Sequence, residues 1–419
     1  MQQIPVLRFC TLRNEWEEYL SPMTTLREKE WKSLQISPLL YPEEENGLKI
    51  GTFNIMAEIK APIKNSIVRD VERFHYTIEL LKRENFDVLG LNEVTPEFLL
   101  LLQQNTFFQE HYFFSDIVEE SQDETCLKTR NTSLGRNSQG NLILSKYPPL
   151  ELFKLEDPIV KPVLFCTFSH HTCDNQNNDS DKETLCIISA HTSAYSHNVK
   201  RREVELVHIT QQEYLNRMDE VILMGDLNIH LDVEEKTIEL IQYEDLWNET
   251  HDSTIQKGFT FDSYLNTFIR CKYLGMEIRR MRLDRILIRK SPHRRMTAQG
   301  KMELFANEPL CQWKQSSSSF SHSLKTPLWW KAFHSLKLAC QSDYLFCSDH
   351  FGLKVTLKKF ENSNQMERHV KEMMKQLPCV KDSLAEDENV QPYSNHRRVF
   401  LTYVVIVVFS AIIFRFLFM

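Results

Sequence analysis

Short apolar runs recur from Leu48 to Leu357, and each delivers a carboxylate, an amide or an imidazole at or near its end. Thr52-Phe53-Asn54 lies on the first run, Leu91-Asn92-Glu93-Val94 ends the second, and Ser189-Ala190-His191 follows Cys186-Ile187-Ile188. Gly225-Asp226-Leu227-Asn228 follows Val221 to Met224, Leu283-Asp284-Arg285-Ile286 opens a further run, and Ser348-Asp349-His350 precedes the last. Bounded runs of this length fit buried strands. The spacing predicts strands over Leu48 to Ile59, Phe86 to Val94, Asn141–Ser145, Leu185–Ala190, Val221–Gly225, Leu283–Ile288 and Gly352–Leu357. Val68, Val71, Phe74, Ile78 and Leu81 recur at helical spacing between the first two, and Asn198–Met218 and Val233–Gln242 also read as helical. Strands mixed with helices over about 310 residues predict one layered α/β domain, in which sheets bury their faces beneath helices and a sheet edge gathers the polar words.

Composition narrows the class. Hydrophobic residues make up 42% of the chain and aromatic residues 11%, and 26 Phe stand against 10 Gly, which excludes a solvated coil. A net charge of −7 excludes a protein that coats nucleic acid along its whole surface, and leaves room for a local basic groove. The 10 Cys form no CxxC pair and no zinc spacing, so they read as buried thiols of a reducing compartment. Asn131, Asn178 and Asn248 begin N-x-S/T words that matter only in a lumenal domain, and chance accounts for them.

The organisation predicted is an N-terminal extension with some helix over 1–46, a catalytic α/β domain over 47–360, a polar stalk over 361–398 and a transmembrane tail anchor over 399–419. Two inserts, a polar loop over 170–183 and a longer excursion over 291–345, interrupt the domain. No secretory signal reads at Met1 to Cys10, where Arg8 comes too early. The tail is uncharged from Val399 to Phe414, and as a helix it spans about 31 Å, the thickness of a bilayer core. His396-Arg397-Arg398 before it places the domain on the cytosolic or nucleoplasmic side of a single-pass membrane protein, and Arg415 can snorkel to the far interface.

Any one of the polar words is weak evidence, but several in one order at strand edges are not coincidence. TFN, LNEV, GDLN and SDH together resemble the motifs of the endonuclease/exonuclease/phosphatase superfamily of magnesium-dependent phosphodiesterases, from about Leu48 to Phe360. The resemblance implies a four-layer α/β sandwich, two packed mixed sheets flanked by helices, to which this chain adds its C-terminal transmembrane helix. It also implies a phosphate ester substrate and Mg2+, for which Mn2+ can substitute. Within the superfamily, Gly258 to Ser263, Asn266, Cys271 and Arg282 to Ile286 look most like the tyrosyl-DNA phosphodiesterase 2 subfamily.

On this resemblance Glu93 is the metal ligand, Asn54 orients the metal cluster, and Asp349 is a second metal contact or an acceptor behind the ligands. Asp226 positions or deprotonates the attacking water, and Asn228 fixes Asp226 and the phosphate. His350 and His191 donate to non-bridging oxygens, with Asp284 holding His350 cationic. Phe261, Arg282 and Arg285 are the expected substrate-binding residues. Arg279 to Arg295 carries eight basic residues around the single acid Asp284, which suits a phosphate-lined channel and equally a solvated edge strand. Phe53 stands where the relatives carry Trp, Asn92 where they carry Gln, Ala194 where they carry Ser and Ile229-His230 where they place Arg. The expected activity is hydrolysis of a 5′-phosphotyrosyl bond between protein and nucleic acid. The alternatives are a membrane-held lipid headgroup phosphodiesterase similar to neutral sphingomyelinase, and an inactive membrane adaptor.

Overall fold

Period-two alternation along the strands divides each sheet's side chains between a shared interior and an outer layer. The computed structural model describes residues 1–10, 15–19, 47–56, 69–119, 127–131, 139–171, 182–230, 232–272, 278–291, 294–312 and 344–359. Its longer strands are Leu48–Asn54 (β1), Val88–Val94 (β2), Gly140–Ser145 (β3), Glu151–Asp157 (β4), Val160–His171 (β5), Lys182–His191 (β6), Glu220–Asp226 (β7), Asp284–Arg289 (β8) and Gly352–Lys359 (β9). One sheet runs β9, β1, β2, β3, with Met296–Ala298 and Glu303–Phe305 on β9 and, beyond β3, Phe113–Phe114, Val6–Cys10 and Glu15–Tyr19. The other runs β4 to β8 in chain order between Gln2–Gln3 and Tyr243–Asp245.

β1 with β2 and β6 with β7 are parallel pairs, and a parallel pair needs a crossover. Helices Asp70–Glu84 (α1) and Val199–Thr210 (α2) supply them. In α1, acids at Asp70 and Glu72 and bases at Lys82 and Arg83 match the helix dipole, and Asn85 at φ 53° ends it. Its buried Phe74, Ile78 and Leu81 pack on Phe53, Leu89 and Leu91 outside the first sheet, while Val71 is exposed. Leu206 and Ile209 of α2 pack on Ile188, Leu223 and Leu287 outside the second. Between the sheets, Ile50, Val88, Ile143 and Val355 meet Leu164, Ile187, Ile222, Met224 and Ile286. Each such burial is worth roughly 1.5–3 kcal/mol, and the result is the mixed α/β sandwich expected, layered helix, sheet, sheet, helix.

The described part of residues 1–19 differs from the helical extension read in the sequence. Gln2–Gln3 pairs with β4, and Val6–Cys10 pairs with Phe113–Phe114 and Glu15–Tyr19, so this segment edges both sheets. Ile4 and Val6 enter the layer between the sheets, and that burial outweighs the local charge pattern.

The chain divides into two compact units, 1–367 and 368–419, and every described residue falls in the first. The loop 172–181, the segment 313–343, the stalk 361–398 and the tail 399–419 lie outside the described residues. No helix among the described residues is long and apolar enough to cross a membrane. Cys166, Cys186 and Cys347 are buried free thiols.

Candidate active site

Alternation also decides what the strand ends present. Ile222 and Met224 of β7 face the shared interior, so Asp226 does too, and Ile286 and Ile288 set the same parity for Asp284 on β8. Leu48 and Ile50 do this for Asn54, and Leu185 and Ile187 for His191. Four polar side chains from two sheets therefore converge at one edge of the sandwich.

Asn54 is fully buried, and its Nδ2 donates to Asp226 Oδ2 at 2.9 Å and to Glu93 Oε1 at 3.2 Å, while its Oδ1 accepts from the Met56 N–H at 3.0 Å. Plain alternation would send Glu93 outward with Leu91. The β2–β3 register shifts between Leu91 and Val94, and Glu93 takes φ 55°, which turns its carboxylate into the site. A left-handed backbone costs a residue with a Cβ about 1–2 kcal/mol, a sign that the bulge is held by its surroundings.

Asp226 Oδ1 accepts from the Asn228 N–H at 3.1 Å, with Asn228 at φ 51° and its Nδ2 on Thr192 O at 3.3 Å. Gly225 sits at φ 141°, where a Cβ would lie 1.9 Å from Ala190 O, so only glycine lets β7 approach β6 here. Asn92, which stands where the relatives carry Gln, ties the sheets together: its Oδ1 accepts from the Asp226 N–H at 2.9 Å and its Nδ2 donates to Asn141 Oδ1 at 2.7 Å and Ala190 O at 3.2 Å.

His350 Nδ1 donates to Asp284 Oδ2 at 2.8 Å, leaving Nε2 3.9 Å from Asp226 Oδ2. Burial works against its charged form, but the carboxylates of Asp284 and Asp226, with Asp349 behind them, hold its pKa up at about 10. His191 is the opposite case. Burial and the nearby Lys161 ammonium push it down to about 3 although its Nε2 lies 3.6 Å from Asp226, so it is neutral.

Two ligand-atom groups, Glu93, His191, Asp226 and Asp226, Asp284, His350, each fall within 4.8 Å. Glu93, Asp226, Asp284 and Asp349 outnumber the cations His350 and Lys161 beside them, and the donors are carboxylates and imidazoles with no thiolate. Such a set fits a hard, oxygen-seeking divalent ion held chiefly by Glu93, which leaves Asp226 beside it for the water. Asp349 is buried beside His350 but belongs to neither tight group.

Of the residues expected to bind substrate, Phe261 lies against the cluster, whereas Arg282 and Arg285 pair with acids of the fold. Phe261 is buried, its ring edge-on to His350 at 5.6 Å, and packs with Ile269 and Leu283. Arg285 follows Asp284 on β8 and so faces away from the site, where Nη1 meets Asp245 Oδ2 at 2.7 Å and Nη2 meets Glu235 at 2.8 Å. Arg282 shares Asp245 at 2.8 Å. Farther along the basic segment, Arg289 donates to Leu215 O at 2.8 Å, Arg294 pairs with Glu244 and Glu249 at 2.6 and 2.7 Å, and Arg295 pairs with Glu183. Internal acids and carbonyls thus take up most of the charge that suggested a phosphate channel.

Two residues escaped sequence reading. Lys161 reaches Thr192 O at 3.1 Å and lends its charge to the neighbourhood of Asp226 and Glu93, but a lone lysine between Val160 and Pro162 carries no signal. Arg73 is fully buried and donates to Cys347 O at 2.7 Å, Met56 O at 3.0 Å and Asp70 at 2.6 Å, clamping the chain after Asn54 to the loop before His350. Its place among the polar residues of α1 hides that role.

Among solved structures the chain is similar to truncated Caenorhabditis elegans TDP2, at 15% identity and TM-score 0.48, over 74% of this chain and 97% of that one. It is also similar to humanized D. rerio TDP2 with 14 mutations, at 16% and 0.46 over 74% and 98%, and to D. rerio TDP2 complexed with single strand DNA product, at 15% and 0.45 over 74% and 98%. No curated protein matches. Residues 51–350, well over half of the chain, match the Endonuclease/Exonuclease/phosphatase family, and the chain belongs to that family.

Proposed function

We propose that this chain is a magnesium-dependent phosphodiesterase, with Mn2+ able to substitute. The observation that carries the reading is the meeting of Glu93, Asn54 and Asp226 with the His350–Asp284 pair at one sheet edge. When bound, the metal supplies Lewis-acid polarisation of a phosphoryl oxygen. Asp226, fixed by Asn54 and by the Asn228 N–H, orients an attacking water and accepts its proton. His350, kept cationic by Asp284, presents Nε2–H to a non-bridging oxygen where negative charge grows, and neutral His191 donates beside it.

The first substrate reading is a 5′-phosphotyrosyl bond between protein and nucleic acid, supported by the resemblance over Gly258–Ser263 and Arg282–Ile286. The second is a lipid headgroup ester, as in neutral sphingomyelinase. It is favoured by the internal pairing of Arg282, Arg285, Arg294 and Arg295, which leaves less free charge for a polyanion. The reading also includes a tail anchor at 399–419 with the domain facing the cytosol or nucleoplasm, supported by the uncharged run and by His396-Arg397-Arg398. Assaying the full chain on a 5′-phosphotyrosyl oligonucleotide and on sphingomyelin, with Mg2+ and with chelator, tests it. Turnover of neither substrate under any divalent ion would remove both substrate readings.

A further inference from the structure

A two-stranded ribbon, Phe261–Asp262 paired with Arg280–Met281, stands beside the catalytic cluster and carries an apolar tip. Tyr264, Leu265 and Ile278 are 50%, 61% and 63% exposed, and Arg279 and Arg280 follow them, also exposed. Exposed apolar residues scattered singly are ordinary on a folded protein, whereas three at one end of one ribbon with arginines alongside form a patch.

The patch is held in place. Asp262 Oδ1 accepts from the Tyr264 and Leu265 N–H groups at 2.8 and 3.2 Å, Ser263 N–H donates to Arg279 O at 3.1 Å, and Arg279 N–H donates to Ser263 Oγ at 2.8 Å. Arg280 Nε pairs with Asp262 Oδ1 at 3.2 Å and its guanidinium lies 4.5 Å over the Tyr264 ring, while the side chain stays 45% exposed and open to a further anion. The base of the ribbon belongs to the site: Thr260 Oγ1 accepts from the Asp284 N–H at 3.1 Å, Phe261 packs on His350, and Asn266 Nδ2 donates to Ser348 O at 2.8 Å. Whatever the tip touches is therefore brought next to the reacting centre.

We propose that this tip is a lipid-docking lip, with Leu265 and Ile278 entering the headgroup boundary, the Tyr264 ring at the interface, and Arg279 and Arg280 on lipid phosphates. Aromatic, aliphatic and basic side chains in one exposed cluster are the composition of an interfacial contact. The candidate membrane span at 399–419 selects a bilayer as the occupant. Tethering raises the effective concentration of that surface, so a small lip suffices, and the segment 361–398 reaches at most about 130 Å when extended, enough to let the domain meet it. The inference deepens the second substrate reading and rests on it and on the anchor.

The test uses the full chain reconstituted in vesicles of phosphatidylcholine and sphingomyelin, with or without phosphatidylserine. A photoreactive benzoylphenylalanine is placed at 265, at 278 or, as control, at Val71, which is 68% exposed on α1. The lip predicts lipid adducts at 265 and 278, more with phosphatidylserine, and no adduct at 71. Magnesium-dependent turnover of a soluble diester by each variant verifies its fold. Carbonate extraction of the same vesicles reports on the anchor separately. A chain that resists extraction but gives no lipid adduct at 265 or 278 overturns the lip and spares the anchor, whereas adducts on a chain released by carbonate keep the lip and remove the anchor. Adducts without sphingomyelin turnover keep the lip and remove the second substrate reading. Displacement of the lipid adduct by an added single-stranded oligonucleotide, cross-linked at 265, overturns the lip and reassigns the tip to base stacking.

Discussion

Asn54 and Asp226 are 172 positions apart in the chain and meet at 2.9 Å, because each is the last inward-facing residue of a strand in opposite sheets. The contact joins the two halves of the sandwich at the point where the chemistry is proposed. Asp226→Asn keeps the shape and removes the charge that directs water, so kcat should fall by about 1,000-fold, about 4 kcal/mol of barrier, with the melting temperature little changed. Asn54→Ala should cost about 100-fold, since Asp226 and Glu93 then lose their common donor. Steady-state kinetics beside thermal melts check both.

Chelation should abolish turnover and lower stability together, because an ion that binds only the folded state stabilises it by about 2.7 kcal/mol at a hundred times its dissociation constant. Glu93→Gln should raise the Mg2+ concentration needed for half-maximal rate by at least about tenfold while the plateau survives in part. A magnesium titration of rate and of melting temperature reads both effects.

The two histidines should bend the stability of the metal-free protein in opposite directions around pH 6.5. His350 is raised from 6.5 to about 10, so its contribution is complete below 6.5 and is lost as pH rises through 10. His191 is lowered from 6.5 to about 3, so the unfolded state binds the extra proton between those values and stability falls as pH drops through that window. Urea unfolding across pH in chelator should show both limbs. Asp284→Asn should flatten the alkaline limb alone, since it removes the partner that holds His350 charged.

Arg285 and Arg282 share Asp245 on the face of β8 opposite Asp284, so their loss should read as stability and not as substrate affinity. Asp245→Ala leaves two largely buried guanidinium groups short of their main partner and should cost about 3–5 kcal/mol in urea unfolding. Arg285→Ala should lower stability with KM unchanged. A raised KM and an altered salt dependence at unchanged stability would return Arg285 to the substrate.

The sequence carried the site further than the periphery, for reasons that sit in particular residues. A strand that buries Ile222 and Met224 must present Asp226 to the same side, and the same arithmetic along β8 turns Asp284 inward and Arg285 outward. The outward face of Arg285 was therefore written in the alternation, but a count of basic residues ignores faces. Glu93 is a different case, since a bulge at φ 55° reverses its side and no period-two pattern contains a bulge. The edge strands Gln2–Gln3 and Val6–Cys10 were illegible because they are short, flank Pro5 and depend on partners more than 100 positions away, such as Phe114 and Lys154. Lys161 and Arg73 matter through what they touch, and only the folded chain brings those contacts together.

Metal-dependent phosphodiesterase chemistry at Asp226 and Glu93 is decided by turnover, by the full chain, of the p-nitrophenyl ester of thymidine 5′-monophosphate, a soluble diester with a phenolic leaving group. The measurement compares Mg2+ with chelator, and the parent chain with Asp226→Asn and Glu93→Gln. Hydrolysis is expected with Mg2+ and none in chelator, with a loss of about 1,000-fold for Asp226→Asn and a raised metal requirement for Glu93→Gln. Full rate in chelator, or full rate from Asp226→Asn, would contradict that chemistry.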